Sequence, residues 1–193
     1  MLNNKLLLAV PLSMLGFTAT IHADDLFQDR RWYAAPFATF VLTDEDRQAA
    51  NGFGGGMGFG KILDQHFNIE LKGFYQGYST SSGAWSMSGG SVDLQYYLSR
   101  EKFTPYTVIG LGGMNSCLGA NLSVRCASGF IGEMGMGLSY ELDDNLLVRG
   151  DIRYRYNNNH NVNLQSGTSE FSDMVVNLGF EMPFGAKPKP NAH

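Results

Sequence analysis

Apolar and polar residues alternate with a period of two along most of the chain beyond residue 30. That spacing puts successive side chains on opposite faces of a β-strand. Over 146–156, Leu146, Val148, Gly150, Ile152, Tyr154 and Tyr156 share one face, and Leu147, Arg149, Asp151, Arg153 and Arg155 share the other. Over 67–78, Phe67, Ile69, Leu71 and Tyr75 oppose Asn68, Glu70, Lys72 and Gln76. The last such segment sets Met174, Val176, Leu178, Phe180 and Met182 against Asp173, Asn177 and Glu181. The pattern predicts eight strands, near 32–41, 52–60, 67–78, 87–98, 105–115, 129–141, 146–156 and 171–184. No segment beyond the first 23 residues carries a helical period.

The connections carry a second message. Those at 61–66, 99–104 and 142–145 are short, whereas those at 42–51, 79–86, 116–128 and 157–170 are longer and rich in Ser, Asn and Gly. Long and short alternate, so consecutive antiparallel strands would put every turn at one end and every loop at the other. This layout predicts an all-β fold, an eight-stranded antiparallel up-and-down transmembrane β-barrel. A soluble ligand-binding barrel would show the same period with its apolar side chains inward. Glycine separates the two. Gly52, Gly54, Gly56, Gly58 and Gly60 line one face of the second strand, opposite Phe53, Met57 and Phe59. Facing solvent, such a row would lose packing and cost entropy. Inside a narrow barrel it makes room for large side chains from across the lumen. Aromatic residues near strand ends supply candidates for interfacial girdles: Trp32, Tyr33, Phe67, Tyr78, Tyr96, Phe103, Tyr140, Tyr154, Tyr156 and Phe184. The apolar faces then meet lipid through Ile69, Leu71, Val148, Ile152, Val176, Leu178 and Phe180.

Composition narrows the function. The 193 residues carry 14 basic and 18 acidic side chains, a formal charge of −4. A nucleic-acid partner, which calls for a basic face, is not expected. Charged residues make up 17% and aromatic residues 12%, with 24 glycines, which disfavours a disordered chain. Mean hydropathy is −0.15 and no apolar run reaches about 20 residues, so a bundle of membrane helices is excluded. Residues 1–23 read as a secretory signal peptide, with Lys5 ahead of an apolar core opened by Leu6, Leu7 and Leu8 and a cleavage site at Ile21-His22-Ala23. Residues 24–184 then form the barrel and 185–193 a Pro- and Lys-rich tail. In an exported protein Cys117 and Cys126, nine positions apart, are expected to form a disulfide pinching the base of the third long loop. Two buried thiols or a metal pair are the alternatives, the latter without a nearby His to complete it.

Catalytic motifs are not found. There is no HExxH, no GxSxG and no phosphate-loop lysine, and the glycine run at 54–60 opens no βαβ unit. His160 sits between asparagines with no Ser within two residues. The Asp44-Glu45-Asp46-Arg47 cluster reads as a polar loop tip. No enzyme activity, cofactor or metal is expected.

Several stretches resemble the OmpA-type outer-membrane barrel: Val148-Arg149-Gly150-Asp151-Ile152-Arg153-Tyr154, Asn68-Ile69-Glu70-Leu71, Pro105-Tyr106 followed by Gly110, Gly112 and Gly113, and Val176-Asn177-Leu178-Gly179-Phe180 with Pro183-Phe184-Gly185. The resemblance covers roughly residues 30–184. It implies a Gram-negative outer-membrane protein whose lumen is blocked by an inward network of carboxylates and basic groups, with Glu70 and Asp151 at the family's inward carboxylate positions. Facing parity adds Lys72, Glu133, Arg149 and Arg153, giving three acidic and three basic members. Lys187-Pro188-Lys189-Pro190 resembles the start of the hinge that precedes a peptidoglycan-binding domain, but only three residues follow, so no peptidoglycan contact is expected of this chain. The expected role is structural: spanning the membrane and presenting four outer loops, with at most weak pore activity. A small-solute porin, or an adhesin or receptor acting through the loops, are the rivals. The expected partners are outer-membrane lipid, lipopolysaccharide and the barrel-insertion machinery.

Overall fold

The computed structural model describes residues 29–43, 50–80, 83–120, 123–159 and 170–188. The leader, the Asp44–Arg47 cluster, His160 and the tail from Lys189 onward lie outside the described residues. Eight strands run in chain order: β1 (Trp32–Leu42), β2 (Gly52–Ile62), β3 (Phe67–Thr80), β4 (Gly83–Tyr97), β5 (Phe103–Ala120), β6 (Ser123–Asp143), β7 (Leu146–Asn159) and β8 (Glu170–Pro183). Each pairs antiparallel with its neighbour, and β1 pairs with β8 to close the barrel. Closure leaves no free edge around the ring, the arrangement that satisfies every backbone group in a lipid environment.

Two of the four expected long loops are not loops. β3 and β4 stay in register out to Thr80 and Gly83, and β5 and β6 to Ala120 and Ser123. Segments 79–86 and 116–128 therefore contribute mainly strand, against the expectation. Their Ser- and Gly-rich sequence hides the alternation, yet a hairpin ladder once begun needs only backbone partners to continue. At 18 and 21 residues, β5 and β6 are well beyond the roughly 9–11 residues that span a bilayer. Cys117 and Cys126 are direct cross-strand partners in this extension and form a disulfide. The bond ties a paired ribbon rather than the neck of a loop.

Three short connections, at 63–66, 98–102 and 144–145, lie at the other end together with the entry to β1 and the exit from β8. Arg31 gathers this end. Its guanidinium pairs with Asp29 at 2.9 Å and donates to Asp144 O at 3.0 Å, Asn145 Oδ1 at 2.6 Å and Gly185 O at 3.3 Å. Gly185 takes φ of 91°, a conformation that side chains resist, to turn the chain out of β8. Lys187 then meets Glu141 at 2.6 Å.

Outside the barrel, Ile69, Leu71, Ile152, Leu178 and Phe180 are exposed, and Val148 and Val176 are half-buried on the same outer face. Aromatic residues bound this apolar wall at the turn end. Trp32 stacks on Phe59 at 5.3 Å, Phe59 meets Phe184, and Phe67 packs on Tyr96. Lys61 lies over Trp32 and Lys102 over Tyr140. Tyr33 and Tyr78 do not belong to a girdle: both are buried inside. Their parity is inward, and proximity to a strand end does not decide the face.

Candidate functional site in the barrel interior

Residues facing inward fall into layers stacked along the barrel axis. The middle layer is ionic. Glu70 and Lys72 are placed by β3, Asp93 by β4, Glu133 by β6, and Arg149, Asp151, Arg153 and Arg155 by β7, all of them buried. Alternation delivers them: on β7 four inward positions in succession are charged.

Room for these side chains comes from glycine on the facing positions. A Cβ on Gly58 would stand 2.6 Å from the Glu70 carboxyl carbon, and one on Gly110 would stand 2.3 Å from Asp93 Oδ1. Any larger residue at either position collides with the network.

The charges divide into two groups. In the first, Arg149 holds Glu70 with two parallel hydrogen bonds of 2.7 Å, while Glu181 on β8 lies 3.6 Å away. Gln95 donates to Glu70 and the Tyr97 hydroxyl donates to Glu181, each at 3.3 Å. In the second, Arg153 reaches Asp151 at 2.6 Å, Asp93 at 2.5 Å and Glu133 at 3.1 Å. Lys72 pairs with Glu133 and lies 3.5 Å from Asp93. Arg155 reaches Glu133 at 2.6 Å and donates to Gln76 at 2.7 Å. The remaining lone pairs of Asp151 accept from the Tyr106 hydroxyl at 2.8 Å and Asn177 at 2.7 Å. Lys72, Arg153 and Arg155 thus balance Asp93, Glu133 and Asp151 one for one. A guanidinium in contact with several carboxylates is the geometry that makes buried charge tolerable.

All six residues nominated from sequence come together here, but not as one balanced set of six. Asp93, Arg155 and Glu181 are further members. Arg155 and Glu181 lay on the polar faces already read from the sequence. Asp93 was recoverable from the Ser91, Asp93, Gln95 alternation of β4. The cavity left among Phe37, Lys72, Arg149, Asp151, Arg153 and Asn177 is about 10 Å³, roughly the space of a single water.

The layer nearer the loop end is largely apolar, with the buried Asn157 donating to Asp173 at 3.0 Å among its hydrocarbon, which inward polarity alone would not have suggested. Val41, Phe74, Tyr78, Trp85, Met87, Met114, Ile131, Phe171 and Val175 fill the lumen there. Trp85 meets Phe171 edge-on at 6.2 Å. Arg155 joins the layers, its guanidinium 4.6 Å from the Phe74 ring. The interior is thus filled at two levels, once with fixed ion pairs and once mainly with hydrocarbon. Among the described residues no cluster of His, Cys, Asp and Glu has metal-binding geometry.

No family model and no curated relative matches the sequence. Solved structures match in fold. Neisserial surface protein A is 17% identical with a TM-score of 0.60, the alignment covering 79% of this chain and 97% of that one. The outer membrane protein OprG from Pseudomonas aeruginosa is 14% identical with a TM-score of 0.54, covering 82% and 98%. The attachment invasion locus protein Ail of Yersinia pestis is 14% identical with a TM-score of 0.53, covering 81% and 99%. The architecture is that of the small eight-stranded outer-membrane barrels.

Proposed function

We propose that this chain is an integral outer-membrane barrel whose role is mainly structural and non-enzymatic: it spans the membrane as a sealed cylinder and presents its loop end at the cell surface. The observation that carries the reading is the pairing of a filled interior with an apolar exterior. A side chain such as Leu178 is 64% exposed while its neighbour Asn177 is 7% exposed, the reverse of a soluble protein's order. Outer-membrane lipid and lipopolysaccharide are then its surroundings, and the barrel-insertion machinery its route of entry. The turn end, with the entry to β1 and the exit from β8, faces the periplasm.

Two measurements test it. Fractionation of the native membrane should release the protein only with detergent; release by salt or alkali alone would overturn the membrane reading. In planar bilayers the wild type should give small, rare conductance events, because both lumen layers must part together. Large, steady channels would instead promote the small-solute porin.

Surface attachment is a second reading with its own support. The β3–β4 and β5–β6 ribbons continue toward the loop end beyond the pairing of β2 and β7, and one structural neighbour is named for attachment and invasion. A variant with both ribbons shortened, still folded and inserted, should lose attachment to host surfaces if this reading holds.

A further inference from the structure

The apolar wall is dented on one side. Across β4 to β7 runs a groove of about 500 Å³ lined by Val92, Ile109, Leu111, Met134 and Tyr156. Its floor is Gly132, which shares the outward face of β6 with the exposed Phe130 and Met134. Because Gly132 brings no side chain, the backbone around Gly110 and Glu133 is reached from outside. Tyr156 also lines a second groove of about 510 Å³, which continues toward the loop end past Phe130 to Ser128 and Asn158. The chemistry changes along this path. Hydrocarbon lines the first groove, whereas neutral hydroxyl and amide groups flank the second, where the Ser128 hydroxyl donates to Asn115 Oδ1 at 2.6 Å.

We propose that this continuous groove holds one acyl chain of a lipid from the surface leaflet, its ester and hydroxyl groups lying beside Ser128 and Asn158. The proposal rests on the membrane reading above and deepens it by naming a defined lipid position. Three features select this occupant. The groove is continuous with the apolar band, so hydrocarbon is the medium that reaches it. Its lining is apolar where a chain would lie and polar where a chain joins its headgroup. The charged side chain that the register sets beside the polar end is the exposed Glu170, cross-strand partner of Asn158, and a carboxylate there fits ester and hydroxyl groups rather than a phosphate. A second copy of the chain fits poorly, because a two-fold contact would set groove against groove and fill neither.

Gly132→Phe is the direct test. A Cβ at Gly132 meets nothing closer than the Phe130 ring at 3.7 Å and Leu111 at 3.8 Å, so a ring can occupy the groove without moving backbone. Met57→Phe, on the exposed outer face of β2, adds the same ring to the wall across the barrel. Detergent-solubilised protein is titrated with palmitoyl-oleoyl phosphatidylethanolamine and observed by native mass spectrometry, with strand content checked by circular dichroism. One lipid should survive on the wild type and on Met57→Phe under conditions that strip the rest. Its occupancy should fall at least tenfold on folded Gly132→Phe. Equal retention by Gly132→Phe overturns the proposal, as does a wild-type dimer that this substitution dissolves. Failure of the membrane reading is separately visible, as wild type that leaves native membranes without detergent.

Discussion

The ionic layer and the apolar layer nearer the loops are both closely filled, but by different physics. The ionic layer depends on partners: each carboxylate around Arg153 is tolerable because a cation occupies a defined direction at a defined distance. The apolar layer depends mainly on volume: Val41, Ile131, Phe171 and Val175 need only fill space at normal density. The interior of a narrow barrel can therefore be filled by specific pairing or by bulk. This molecule uses both, joined at Arg155 over Phe74. The first device is intolerant of small chemical change, and the second of change in size.

Substitutions can break that contrast, and the largest expected effect is in the ionic layer. Arg153→Ala leaves Asp93 and Asp151 without their main cation and should cost about 3–5 kcal/mol in urea unfolding from lipid vesicles. Arg153→Lys should recover little of it, since an ammonium cannot reproduce the fork that serves three carboxylates. By contrast Ile131→Leu, at a similar degree of burial, should cost under about 1.5 kcal/mol. A tolerated Arg153→Lys together with a damaging Ile131→Leu would reverse the assignment of the layers. The wall outside offers a third comparison. Leu178→Arg places a charge in the apolar band and should cost about 2–4 kcal/mol, whereas Leu178→Met keeps the outward side chain apolar and should cost far less. Equal damage from both would mean that this face does not meet hydrocarbon. The most local effect is expected at the ribbon. Cys117→Ser reopens a loop of about ten residues, worth at most about 2.5–3 kcal/mol by chain entropy. The neighbouring ladder to β4 persists, so hydrogen exchange should rise at the ribbon tip while the barrel stays inserted. Global unfolding at unchanged urea would be the contrary result.

Much of this architecture was legible because a strand's period of two is unforgiving. The order of strands, the inward row of Gly52 to Gly60 and the outward row of Leu178 and Phe180 follow from parity alone. Lys72, Glu133, Arg149 and Arg153 could be named as inward by the same rule. What parity cannot supply is height along the axis, which sets who meets whom. Glu70 and Glu181 converge on Arg149 only because the register brings β3, β7 and β8 to one level. Nor does parity say that inward residues change from charged to apolar between Lys72 and Phe74, two positions apart on one strand. The ribbon at 116–128 was missed for another reason. Its composition resembles a loop's, and pairing through the backbone leaves no mark of its own on the sequence.

Arg31 stands outside every strand, yet it bears on how long the cylinder stays shut. Seven of the eight ladders join neighbours in the chain, and the eighth joins β1 to β8 across nearly its whole length. The entropic cost of joining distant segments falls on that single seam. At the mouth of the seam Arg31 ties together the lead-in to β1, the turn between β6 and β7, and the exit from β8. It acts as a latch on a hoop: the hoop's strength lies in its staves, but its lifetime is set where the two ends meet. Exchange of the β1–β8 amides reads that lifetime directly: it should rise in Arg31→Ala while that of β5–β6 stays unchanged, and an unaltered seam would deny the latch its role.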